Sequence, residues 1–173
     1  MKARPAMATA TLAVFGMLVG CSGPSEKRAY EIPSKLCGVQ MDAKTVSPFL
    51  PGGKQAAVRG TNPVPSRKFC QINVDDERAI TFTQEWWEED IDITTVATGI
   101  RATKSAGLSD DGTSIFSGTG AVMRVKGCKN PDHAAHMLYT TIQVRDTNLA
   151  DPAAMKKLAT AYTKAVKNSD ACS

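Results

Sequence analysis

The chain of 173 residues contains only two histidines, His133 and His136, and none of its five cysteines stands at a Cys-x-x-Cys or Cys/His spacing. A closed zinc site built from those ligands is therefore excluded, and no other metal or cofactor is expected. No basic stripe interleaved with aromatics runs along any segment, which argues against a nucleic-acid partner. The longest apolar run, Ala6 to Val19, falls short of the ~20 residues that a membrane-spanning helix needs. "SGTGA", residues 117–121, has glycines but no following lysine, and "LSDDG", ending at Gly112, lacks the glycine of a nucleophile elbow and the ligands of a calcium loop. With no nucleophile, base or carboxylate set at interpretable spacing, the chain is expected not to be an enzyme.

What is present begins at the amino terminus. Lys2 and Arg4 precede the apolar run, which ends in Leu18, Val19, Gly20 and Cys21. A cationic start, a short apolar stretch and a small-residue cut site read as an export signal. The last four residues resemble the lipobox of bacterial lipoproteins. That resemblance implies removal of residues 1–20 and transfer of a diacylglyceryl group to the Cys21 thiol, so that two or three acyl chains such as palmitate are carried there. The protein would then be held on the outer face of the cell membrane, its partner there being the membrane itself through the N-terminal lipid. Residues 21–34, with two prolines and several charges, read as the lipidated cysteine and a flexible tether. Residues 35–173 then make one domain. Losing Lys2 and Arg4 leaves 19 Lys and Arg against 17 Asp and Glu, a net charge near +2.

Four cysteines remain: Cys37, Cys70, Cys128 and Cys172. An even count in an exported domain points to two disulfides, and three pairings are open. Cys37–Cys70 and Cys128–Cys172 are favoured, each tying the start of one half of the domain to its end. Each would be worth roughly 4 kcal/mol in the chain-entropy account.

The periodicity changes along the domain. Asp42 caps a short helix distorted at Pro48, and "KQAAVRGTNPVPS" reads as loop. Alternation through "KFCQINVD" and "RAITFTQEWW" marks a hairpin around "DDE". A helix is expected from Asp92 onward, then a third strand through Ala121, Met123 and Val125 and a fourth through Leu138 to Val144. The last helix has Asp151 as its N-cap, Pro152 in its first turn and an apolar stripe of Met155, Leu158, Ala159, Tyr162 and Val166. The sum is an α+β fold: an antiparallel sheet of about four strands with helices packed on it, closed by two disulfides. This layout of cysteines and elements resembles small actinobacterial lipoproteins of the cell envelope. The likeness carries over no catalytic residue.

Two surfaces are candidates for contact. In "QEWWEEDID" the neighbouring Trp86 and Trp87 must point to opposite faces of a strand, so one is core and the other meets a helix layer or solvent. An exposed Trp87 above Glu88 and Glu89 would suit a sugar ring or a cationic peptide, whereas two packed indoles would leave the acids to cap the next helix. On the last helix Lys156, Lys157, Lys164 and Lys167 form a cationic face, either solvated or touching anionic headgroups or an acidic wall polymer. "HAAH" reads as a surface turn. The functional expectation is a non-enzymatic interaction module in the cell envelope, its partner an envelope protein or wall component. The alternative is a carrier or sensor of a small hydrophobic ligand.

Overall fold

A computed structural model describes residues 27–104 and 106–172; the signal, Cys21 and the first part of the tether lie outside the described residues. In chain order the elements are β1 (Lys35–Leu36), β2 (Val39–Gln40), α1 (Ala43–Val46), β3 (Ala56–Val64), β4 (Arg67–Val74), β5 (Glu77–Glu88), α2 (Ile93–Thr98), β6 (Gly107–Leu108), β7 (Ser114–Phe116), β8 (Gly120–Arg124), β9 (His136–Val144) and α3 (Pro152–Lys167). Strands β3 to β9 form one antiparallel sheet in the order β3-β4-β5-β9-β8-β7-β6.

That sheet overturns the expectation of about four strands in an α+β fold. Seven strands form one large sheet, 37% of the described residues are in strand and 28% are helical, and the helices are few and short. The physical reasons are local. β3 carries Gly60, Asn62 and Pro63, residues of turns, yet it is an edge strand, where a missing N–H and a missing side chain are tolerated. The helix after Asp92 stops at Gly99, a single 3-10 turn over Arg101–Thr103 follows, and β6 takes up the end of the segment expected to be helical.

The hairpins follow from backbone chemistry. Asp75 and Asp76 form the two-residue loop between β4 and β5, both at positive φ (48° and 65°), which suits the twist of the flanking strands. The Asp75 carboxylate accepts from the Lys54 and Gln55 N–H groups at 2.9–3.0 Å and fixes the approach to β3. Those bonds, the Lys54 one foremost, hold its pKa below the usual carboxylate value.

Each face of the sheet has its own cover. On the first, Phe82, Ile142, Leu138 and Ile72 meet α3, whose Met155, Leu158, Ala159, Tyr162 and Val166 are all buried as their spacing requires. Tyr162 lies with its ring centroid 4.8 Å from that of Phe82 and takes a 3.3 Å hydrogen bond from Gln84. On the second, α2 and Ile91 cover Tyr139, Val122, Ile115 and Met137. The disulfides join Cys37 to Cys70 and Cys128 to Cys172, the favoured pairing. One brings the β1–β2 turn to β4; the other ties the residue beyond α3 to the loop after β8.

Packing begins earlier than the expected domain start at residue 35. The Arg28 guanidinium donates to Ser47 Oγ, Ser47 O and Leu50 O, Ala29 N–H donates to Gly53 O, and Tyr30 Oη donates to Pro51 O. Tyr30 and Ile32 rest on the core. The second part of the expected tether is thus docked.

Candidate functional site

Strand alternation sends Trp86 to the α3 face and Trp87 to the α2 face, and both are half-buried. Trp86 stacks on His133, with centroids 4.7 Å apart and planes 18° from parallel. Trp87 packs with the α2 cluster, its Nε1 buried without a hydrogen-bond partner. Trp87, which would suit stacking on a sugar ring or a cationic peptide if exposed, is thus half-buried among packed side chains. Glu88 and Glu89 are exposed at the end of β5, where Glu88 lies opposite His136.

Lys156 and Lys164 are exposed on α3, on the other face of the sheet, and Lys156 Nζ stands 5.7 Å from the Phe116 ring centroid. The two expected surfaces are not one site.

The two histidines touch edge to face at 5.9 Å. They border a groove of about 640 Å³ together with Glu89, Arg124, Lys126 and Lys129. Among the described residues no three His, Cys, Asp or Glu side chains come together as metal ligands. Near this groove the "LSDDG" turn is a closed network. The Asp111 carboxylate accepts from Lys126 Nζ at 2.9 Å and from the Ser109 and Thr113 hydroxyls at 2.7 Å. Lys126 first, and then the hydroxyls, hold its pKa far below the usual value. Its geometry is that of a stapled turn.

A second groove, about 870 Å³, lies on the α2 face beside the covered half, over β4, β5 and β9. Its floor is polar: Gln71, Thr81 and Gln143 are cross-strand neighbours in one row. Arg78, Arg101, Lys104 and Arg145 stand around it, and no carboxylate lines it. Arg145 is paired with Glu77, whereas Arg78, Arg101 and Lys104 make no ion pair among the described residues. The glycines of "SGTGA" have a structural reason here. A methyl on Gly120 would lie 2.4 Å from Ala102 Cβ, so the bare backbone lets the Arg101–Thr103 turn sit flat on β8. Ser117 Oγ then donates to Ala102 O at 2.5 Å.

This groove is what inspection of the sequence missed. Its cations come from the start of β5, the turn after α2 and the residue after β9, so no local pattern joins them. The only hint is the polar alternation of Gln71, Thr81 and Gln143 on strands whose other face is apolar.

No helix among the described residues is long and apolar enough to cross a membrane. No family model matches the chain, nor does any curated protein or solved structure.

Proposed function

We propose that the protein is a lipid-anchored, non-enzymatic interaction module, acylated at Cys21 and working on the outer face of the cell membrane. The anchor rests on the lipobox-like Leu18-Val19-Gly20-Cys21 behind a cationic, apolar leader. Two disulfides accord with an oxidising compartment. The observation that carries the interaction role is the uncovered half of the α2 face. There a polar strand row and three cations that make no ion pair among the described residues form an open groove beside a half that α2 covers. A surface of this kind binds through charge and hydrogen bonds. A carrier of a small hydrophobe calls for an apolar cavity instead, and both large grooves are edged by charged side chains.

Two measurements test the reading. Cys21→Ser should abolish labelling by palmitate and release the protein from the membrane fraction; labelling that persists sinks the anchor. Native mass spectrometry of protein released gently from its own membrane should show the acylated chain alone or with a protein partner. A reproducible added mass of small-ligand size would favour the carrier.

A further inference from the structure

The position of the docked segment bears on what the second groove meets. Ala29 and Tyr30 are bonded to Gly53 and Pro51, and Pro51 lines a small pocket of about 350 Å³ with Arg78 and Arg145. Those two arginines also line the large groove, next to Arg101 and Lys104. The groove and the entry of the chain thus share one pole of the domain. From Cys21 to Arg28 is seven residues, a reach of at most ~25 Å even when fully extended. A domain tied this closely presents that pole to the surface holding its anchor.

Carboxylates at the same pole would oppose a phosphate-rich surface; Glu31 is exposed there, and four others are held by partners. Asp75 is bonded to the Lys54 and Gln55 N–H groups, Asp76 pairs with Arg59, Glu77 with Arg145, and Asp146 accepts from Asn148 N–H. Lys54, Arg78, Arg101 and Lys104 are left without ion pairs among the described residues. Cations near an anionic bilayer contribute about 1 kcal/mol each, or roughly fivefold in binding. We propose that the groove of Arg78, Arg101, Lys104 and Arg145 seats phosphate-bearing headgroups of the membrane in which Cys21 is anchored. The proposal rests on the anchoring proposed above. It adds that the domain lies down on the bilayer, with the α3 lysines turned away.

The test uses the full protein extracted from its membrane. Its intact mass first reports the acyl group on Cys21; a chain without that mass overturns both proposals. The acylated protein is then placed in nanodiscs of phosphatidylcholine alone or with phosphatidylglycerol, and amide exchange is followed through residues 101–104 and 145–149. Phosphatidylglycerol should slow exchange there by roughly fivefold for each cation engaged. Arg78→Gln with Arg101→Gln should remove most of that slowing, and Lys156→Gln with Lys164→Gln should leave it intact. If the arginine variant does not fold, added salt applied to the unaltered protein should erase the slowing instead. Equal exchange on both nanodiscs overturns the headgroup site while the anchor stands. Equal slowing by glycerol phosphate added to phosphatidylcholine nanodiscs overturns the membrane as the source and assigns the groove to a soluble anion.

Discussion

The two faces of the sheet are built to different standards. Under α3, apolar side chains from six strands of the sheet and sixteen residues of helix close over one another, with Gln84 matched to Tyr162 and Thr140 to Thr163. Under α2, six residues of helix cover half a face, and Trp87 Nε1 and Thr141 Oγ1 are buried without partners. The first face holds the fold together. The second gives up some stability and keeps open a strand row on which a groove is built.

The largest test of that contrast compares equivalent truncations. Leu158 is fully buried on α3, and Leu158→Ala should cost about 3–5 kcal/mol in urea unfolding. Ile93 is buried at the start of a two-turn helix whose surroundings can collapse, and Ile93→Ala should cost about 2 kcal/mol. Equal losses would break the claim that the α3 face dominates stability.

A second test uses pH. Burial pushes the Tyr162 phenol up from 10.0 to about 12, with the Gln84 hydrogen bond acting the other way. Between those values the unfolded phenol ionises while the folded one keeps its proton. The folded state then binds more protons, so stability is fully present below pH 10 and falls as pH rises toward 12. The full displacement corresponds to roughly 2–3 kcal/mol. Unfolding measured across this window should lose most of its slope in Tyr162→Phe. What remains belongs to groups such as Tyr139 on the other face, whose phenol is also raised, chiefly by burial.

The same contrast explains which parts of the molecule were legible in the sequence. α3 was readable because its cap, its proline and its apolar stripe all lie within one segment and agree with one another. β5 and β9 alternate cleanly because one of their faces is largely apolar, interrupted by Gln84 and Thr140. β3 was hidden by residues that an edge tolerates and an interior strand does not, and β6 and β7 are too short to carry a period. The groove was beyond reach for another reason. Arg78, Arg101, Lys104 and Arg145 meet only through the order β4-β5-β9-β8, which sets distant segments side by side.

Gly120 offers an intermediate effect confined to the weaker face. An alanine methyl there collides with Ala102 Cβ at 2.4 Å and crowds the Ala102 carbonyl group. Gly120→Ala should cost about 1–3 kcal/mol and displace the Arg101–Thr103 turn, visible as faster amide exchange at residues 101–104. Unchanged exchange would mean that this turn does not depend on the bare backbone beneath it.

The smallest effect is also the sharpest, because it concerns neighbours. Thr140 and Thr141 are adjacent on β9, both almost fully buried, and face opposite sides of the sheet. Thr140 Oγ1 stands 2.7 Å from Thr163 Oγ1 on α3, whereas Thr141 Oγ1 has no partner. Valine has the shape of threonine and suits a strand, so each Thr→Val change removes a hydroxyl at nearly constant volume. Thr140→Val breaks a made hydrogen bond and strands Thr163, and should destabilise by about 1 kcal/mol. Thr141→Val removes a hydroxyl that was desolvated without return, and should stabilise by a similar amount. Chemical unfolding of the two variants decides it. Opposite signs mean that the α2 face carries unmatched polarity as a standing cost, while a loss at both positions would mean that the Thr141 hydroxyl is matched after all and the two faces are closer in kind.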